Sequence, residues 1–207
     1  MNRTPKKFFL SLYSDVQRGS FFVLYCFVCA LMSAKSQAQD RVSYSIEPTV
    51  SYALQRKTEP SAHSRMVLLY GARATAGYRV FAGEFEYLQG ESNETFPELV
   101  LNVLERTHQL RAGLRSGYSF SKGVSSSVRA GAQVSQRTRT RTQAGASQTS
   151  TVPTRVDPYL GGGIGVELVS VVEITLEGLA TFRNLKNFSE NEYSVSLGAR
   201  FTMGRSP

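Results

Sequence analysis

The chain has 207 residues, with 24 Lys+Arg against 16 Asp+Glu, 2 cysteines and no tryptophan. Both cysteines, Cys26 and Cys29, lie in an apolar run near the N-terminus, so disulfides, thiolate catalysis and cysteine-held metals are excluded from everything downstream. The formal charge of +8 overstates the basicity of the exported part, because much of it sits in the first 38 residues.

Lys6 and Lys7 precede the apolar run Phe21 to Met32, and Ser36-Gln37-Ala38 follows as a small-x-small cleavage site. This order of charge, apolar stretch and small-residue cut predicts a secretory signal peptide over 1–38, cleaved near Ala38. The run is too short for a membrane-spanning helix, which needs about twenty residues. Arg3, Lys6, Lys7, Arg18 and Lys35 leave with it, and of the acids only Asp15, so the net charge falls from +8 to +4. Residues 39–207 are then a single exported domain.

In chain order that domain shows eight runs of two-residue alternation, the pattern of strands with one apolar face. The first sets Val42, Tyr44, Ile46, Val50, Tyr52 and Leu54 on one face; Pro48 lacks a ladder donor, so its membrane-crossing part is expected to start near Glu47 or Pro48. The second has Met66, Leu68, Tyr70 and small residues to Ala76, and the third Phe81, Phe85 and Tyr87 opposite Glu84 and Glu86. The fourth places Leu110, Ala112, Leu114, Tyr118 and Phe120 against Arg111 and Arg115; the fifth places Val124, Val128, Ala130, Ala132 and Val134 against Arg129. The sixth contains Leu160, Ile164, Val166 and Leu168, with Asp157 and Tyr159 on the other face of a glycine-rich strand. Val172, Ile174, Leu176, Ala180 and Phe182 form the seventh, and Tyr193, Val195, Leu197, Ala199 and Phe201 the eighth. Strands of roughly ten residues cross a membrane at a tilt.

The connections between runs alternate strictly: long (56–64), short (77–80), long (90–106), short (121–123), long (137–155), short (169–171), long (183–190). Long extracellular loops and short periplasmic turns sorted in this way mark an outer-membrane barrel. A soluble lipocalin-like barrel has no reason to sort its loops by end. The fold class predicted is therefore all-β: a transmembrane antiparallel eight-stranded up-and-down β-barrel, with both termini periplasmic.

The face opposite the apolar one carries Glu47, Arg73, Glu84, Glu86, Arg111, Arg115, Arg129, Glu167, Glu173, Glu177 and Arg200, five arginines and six glutamates. Eight strands enclose a space just wide enough for side chains to fill, and opposite charges that pair there compensate one another. These residues are expected to form an ion-paired network plugging the barrel rather than lining a pore.

The stretches DPYLGGGIGVEL (157–168), YSVSLGARFTM (193–203), YGARATAGYRV (70–80) and EFEYLQG (84–90) make the chain resemble the eight-stranded outer-membrane barrel family. That family includes the transmembrane domain of outer-membrane protein A and the opacity-type porin proteins. The resemblance is one of pattern, covers essentially all of 39–207 and carries no catalytic signature. It implies a location in the Gram-negative outer membrane, with outer-membrane lipid, lipopolysaccharide and the barrel-assembly machinery as partners, an extracellular ligand for the loops, and a monomer.

The remaining motifs are weighed against plainer roles. Gly161-Gly162-Gly163 with Gly165 lies inside an alternating strand, so room for large neighbours explains it better than a phosphate loop. His63 and Ser64 are adjacent and so point to opposite faces of a strand, in what is expected to be a loop, while His108 sits on the lipid side at the extracellular end of strand four. Neither arrangement suits a barrel esterase or deacylase, so no enzyme, cofactor or metal site is read. Arg137, Arg139 and Arg141 alternate with threonines at the start of the longest loop; a solvated loop or strand extension, or contact with lipopolysaccharide phosphates, is favoured over nucleic acid. Asn93-Glu94-Thr95 and Asn187-Phe188-Ser189 are read as chance glycosylation triplets, and ELVLNVLER (98–106) has apolar spacing that fits a short helix at the barrel mouth. The function expected is a non-enzymatic, envelope-structural or adhesin-like surface protein; a narrow pore for small solutes is the alternative, and a lipid-modifying enzyme comes third.

Overall fold

A computed structural model of the chain describes residues 42–57, 61–78, 80–185 and 187–203. The signal peptide and its cleavage site lie outside them. Eight strands form one closed antiparallel barrel in sequence order: β1 (Ser43–Lys57), β2 (His63–Tyr78), β3 (Phe81–Phe96), β4 (Leu101–Ser121), β5 (Val124–Gln143), β6 (Ala146–Val169), β7 (Val172–Thr181) and β8 (Glu192–Met203). β8 closes on β1, with Leu54 opposite Tyr193 and Tyr44 opposite Met203. Closure satisfies the backbone groups that an open sheet would leave bare.

Alternation along each strand is inverted relative to a water-soluble barrel. On β1, Ser45, Glu47, Thr49, Ser51, Ala53, Gln55 and Lys57 are buried, while Tyr44, Ile46, Val50, Tyr52 and Leu54 are exposed. The exposed set continues around the wall through Leu68, Phe85, Leu114, Val128, Leu160, Ile164, Leu176 and Leu197. An apolar belt facing outward and a polar lumen are what a bilayer solvates. Aromatic rings border the belt: Tyr44, Tyr78, Phe81, Tyr118, Phe120 and Phe201 toward the short-turn end, Tyr52, Tyr70, Tyr87 and Tyr193 toward the other. Tyr44 and Tyr52 are separated by roughly 26 Å of strand, or about 20 Å along the normal at a tilt near 40°, close to the height of a membrane apolar band.

Pro48 lies inside β1, which begins at Ser43, close to the start of the alternating run at Val42 and ahead of the point expected for its membrane-crossing part. The ladder from β1 to β8 has no pair at Glu47 or Pro48 and resumes at Thr49 opposite Gly198. The missing proline N–H is accommodated by that local gap, so pairing continues to Ser43.

Three of the four connections expected to be long loops are instead strands running on past the belt. β1 and β2 pair as far as Lys57 opposite His63, β3 and β4 as far as Phe96 opposite Leu101, and β5 and β6 as far as Gln143 opposite Ala146. The β5–β6 hairpin turns on Ala144 and Gly145, both with positive φ (47° and 84°), the backbone a two-residue hairpin with native twist requires. The helix expected over 98–106 is a single 3-10 turn, Pro97–Leu99, followed by strand: Leu101, Val103, Glu105 and Thr107 alternate inward and are buried. Among the described residues the β7–β8 connection is irregular, with a 3-10 turn at Phe188–Glu190. Apolar alternation ends where the lipid ends, but backbone pairing does not, so strands judged by their apolar face come out too short.

Glycines make the room that the large inward side chains need. A Cβ on Gly131 would stand 2.6 Å from the Gly113 Cα and 2.9 Å from the Tyr159 hydroxyl, so the tyrosine ring lies across two adjacent glycines of β4 and β5. A Cβ on Gly163 would meet the Glu177 Cγ at 2.5 Å, and one on Gly165 would collide with Glu173. The glycine-rich run of β6 is thus a space for two carboxylate arms.

The refolded chain is expected to migrate as a compact species in unboiled SDS and to shift on heating. Leu114→Arg, in the middle of the outward belt, should lower its stability by about 2–4 kcal/mol in urea titrations. Ser147→Arg, on the extension beyond the belt, should move it by less than about 0.5 kcal/mol.

Candidate functional site

The lumen is the one region where charge, burial and convergence coincide, and strand parity builds it. Inward positions on β1, β2, β3, β4, β5, β7 and β8 bring together Glu47, Arg73, Glu84 and Glu86, Arg111 and Arg115, Arg129, Glu173 and Glu177, and Arg200. Glu86 holds three arginines: Oε1 accepts from Arg73 Nη2 at 2.9 Å, and Oε2 accepts from Arg111 Nη1 at 3.0 Å and Arg129 Nη2 at 2.9 Å. Glu177 gathers Arg73 at 2.7 Å, Arg115 at 2.9 Å and Arg129 at 3.0 Å. Glu47 accepts from Arg73 and from Thr175 Oγ1, and pairs with Arg200 at 2.9 Å; Arg200 also reaches Glu173 at 2.6 Å. Five glutamates thus face five arginines, and the formal charges of this set cancel.

The eleventh inward residue singled out in the sequence is Glu167. It lies near the β6–β7 turn, opposite Glu173 in register and half-buried, where a register shift between Glu167 and Val169 carries the strand to the rim.

Several members of the lumen carry no charge to advertise them. Tyr159 donates to Glu84 and lies under the Arg129 guanidinium, 5.4 Å from ring centroid to Cζ. Gln133 accepts from Arg111 Nε at 2.7 Å and from Thr181. Gln109 links two levels: its Oε1 accepts from Arg111 at 3.1 Å and its Nε2 donates to Glu192 at 2.7 Å. Beside it Ala53, Val67, Leu69 and Leu88 form a small apolar cluster, the dry patch of the lumen wall on β1–β3.

Toward the long-strand end a second charged level follows. Glu192 accepts from Arg137 at 2.9 Å and also meets Arg183. Glu105 pairs with Lys57 at 3.2 Å and Arg139 at 3.1 Å, and Glu94 with Arg65 at 3.3 Å. Lys57, Glu105 and Glu192 keep the inward parity of their strands and become visible once alternation is followed past the last apolar residue. The RTRTRT segment is β5 strand, the strand extension that is one of its two plain readings, rather than loop. Arg137 is buried against Glu192 and Glu105, and Arg139 is turned toward Glu105, so neither faces the lipid side; Arg141 sits half-buried nearer the tip. Alternation alone explains this, since the odd positions of β5 point into the barrel.

His63 opens β2 rather than lying in a loop. The β2–β3 ladder ends at Tyr70 opposite Gln89, and above it Arg65 donates to the Asn93 carbonyl while His63 reaches Glu94, so side chains hold the two strands together. His63 Nδ1 stands 2.9 Å from the Ser61 carbonyl and Nε2 2.9 Å from Glu94 Oε2. Two acceptors on two ring nitrogens are both satisfied only by the imidazolium. The Ser61 carbonyl first, then the Glu94 carboxylate, raise His63 above the ordinary histidine value. His108 meets the Tyr87 hydroxyl at 2.8 Å on the outer surface. Among the described residues no group of three or more His, Cys, Asp or Glu is placed to hold a metal.

No protein-family model matches the sequence, and no curated protein matches it. Solved structures do match. Ail, the attachment invasion locus protein of Yersinia pestis, in complex with the heparin analogue sucrose octasulfate, is 10% identical over 79% of this chain and 99% of that one, with a TM-score of 0.56. Neisserial surface protein A is 10% identical over 80% and 100%, at 0.55. The N-terminal β-barrel domain of Pseudomonas aeruginosa OprF is 13% identical over 80% and 100%, at 0.51. The chain has the fold of these eight-stranded outer-membrane β-barrel proteins.

Glu86→Gln should destabilise the barrel by about 3–5 kcal/mol, because three arginines lose one buried counter-charge at once; the urea midpoint of the folded band reads it. Because the folded pKa of His63 is raised, its contribution is full below the unfolded value and is lost as pH rises through the folded one. Amide-exchange protection across the β2–β3 extension, corrected for the intrinsic exchange rate at each pH, is therefore expected to fall as pH rises above the ordinary histidine value. Glu94→Gln should flatten that response.

Proposed function

We propose that the chain is a non-enzymatic surface protein of the bacterial outer membrane, closed through its lumen, whose long-strand end stands outside the cell and binds anionic partners. The fold shared with outer-membrane proteins supports the location. The observation that carries the closed reading is the lumen itself, where five arginines and five glutamates pair with one another and with buried glutamines, threonines and Tyr159. An ion would have to break several of these contacts to pass, and each broken pair strands a buried charge.

The upper level supports the binding half. Its ion pairs join Lys57, Arg65, Arg137, Arg139 and Arg183 to Glu94, Glu105 and Glu192, five bases against three acids, and Arg141 lies above them. A basic mouth beside the outer leaflet suits lipopolysaccharide phosphates or the sulfated and phosphorylated polymers of a host surface. The heparin-analogue complex of Ail makes polyanions a natural class to try here. Catalysis is disfavoured by the histidines' partners: His63 bonds a carboxylate and a backbone carbonyl, and His108 a tyrosine hydroxyl.

In planar bilayers the refolded chain is expected to show no steady conductance; a stable open level abolished by Arg111→Gln or Glu177→Gln would establish the narrow-pore alternative instead. Binding of lipopolysaccharide should weaken with salt, and Arg139→Gln with Arg141→Gln should lower affinity severalfold while flattening that salt dependence. Unchanged affinity in the double variant would remove the basic mouth from the reading.

A further inference from the structure

The barrel wall is uneven in height. β6 runs from Ala146 to Val169, yet its pairing with β7 begins only at Tyr159 opposite Thr181. On its other side β6 stays paired with β5 to Ala146 opposite Gln143. From Ala146 to Val152 the strand therefore has a ladder on one edge and none on the other, before a register shift at 153–154. Alternate residues there direct N–H and C=O groups away from β5, and all of 146–154 except Val152 is exposed. Natural edge strands of this length are usually blunted by charged side chains or covered. This one is neither: residues 142–154, TQAGASQTSTVPT, contain no charged residue in a chain of net charge +8.

We infer that this edge pairs antiparallel with the same segment of a second copy anchored in an opposing membrane. This rests on the reading above that the long-strand end faces outward. Composition points to a copy of the chain itself. Laid antiparallel about Thr149, the segment sets Thr149 against Thr149, Gln148 against Ser150, Ser147 against Thr151 and Ala146 against Val152. Threonine and serine pairs across strands hydrogen-bond and add to the ladder, and a neutral segment meets its duplicate without repulsion. The basic residues at this level are on the neighbouring strand, Arg137, Arg139 and Arg141 of β5 opposite Val152, Ser150 and Gln148, and Arg137 and Arg139 pair with Glu105 and Glu192 rather than with the open edge.

Symmetry decides between neighbours in one membrane and partners in two. Identical edges pair antiparallel about a two-fold axis perpendicular to the strands. Two copies in one membrane are related by an axis along the membrane normal, which leaves steeply rising strands pointing the same way. Copies in facing membranes are related by an axis lying between the membranes, which reverses the strands as the antiparallel ladder demands. From Thr149 to Tyr159 is roughly 33 Å of strand, so about 65 Å of strand separates the two Tyr159 residues, or about 50 Å along the normal at a 40° tilt. The contact thus holds two cell surfaces at a set spacing. Pro153 closes the segment on the barrel side, since it cannot donate to a ladder.

Residues 39–207 refolded into phosphatidylcholine vesicles test this without lipopolysaccharide. Wild-type vesicles of two colours are expected to dock. Vesicles carrying Thr149→Lys, or carrying Thr149→Glu, should each dock at least roughly tenfold more slowly, because the like charges face each other across the pair. Mixing the Lys and Glu populations should restore docking. Thr149→Cys, the only thiol in 39–207, should form disulfide dimers only after docking. Absence of docking by wild-type barrels that show the compact unboiled band would overturn the proposal. So would undiminished docking by either charged population, failure of the mixed charges to rescue, or dimers formed in isolated vesicles. The compact band and bilayer conductance report separately on the barrel and its closed lumen, so a failure of docking leaves those conclusions distinguishable.

Discussion

Everything in this molecule depends on one constraint: a strand in hydrocarbon has no water to bond, so every backbone N–H and C=O must find a partner within the sheet. Closing β8 on β1 meets it, and closure then divides each strand's side chains into two sets with opposite surroundings. The outward set must suit lipid and is almost wholly apolar. Polar side chains are left with the lumen, which in an eight-stranded barrel is narrow enough that they must pack against one another.

Charge balance follows from that confinement. An isolated arginine in the lumen would bear an uncompensated desolvation cost, so arginines enter with glutamates, and the central glutamates are shared, Glu86 and Glu177 each among three arginines at 3.0 Å or less. Sharing ties strands that are not neighbours, as when Glu177 of β7 reaches Arg73 of β2 across the interior. Neutral hydrogen-bonding groups complete the pattern. Gln109 can bridge the two charged levels because an amide donates and accepts at once, which neither a carboxylate nor a guanidinium can do. Glycines at 113, 131 and 163 supply the space, so the network depends on residues that contribute nothing to it but their small size.

Beyond the belt the constraint relaxes, and the wall becomes uneven. β6 continues past Tyr159 while β7 stops at Thr181, which water permits and lipid would not. The parts of the molecule most exposed to partners are thus those where closure ends: a basic mouth, a seam between β2 and β3 held by Arg65, His63 and Glu94, and a bare edge on β6.

The sequence by itself determined the strand count and the direction each strand faces, because a period of two maps residue number onto face without any knowledge of neighbours. It also marked the glycine-rich run of β6 as space rather than as a phosphate loop. It did not determine where strands end. Apolar alternation reports lipid, so Arg137, Arg139 and the 98–106 segment read as loop or helix although their backbones pair as strand. Nor did it show which charges meet, since partners such as Arg129 and Glu177 lie 48 residues apart and are brought together only by barrel closure and shear. Glu167 has the same parity as its companions, yet the β6–β7 turn carries it to the rim. Periodicity is a local property of the backbone; register, strand length and the pairing of charges depend on where the other seven strands lie.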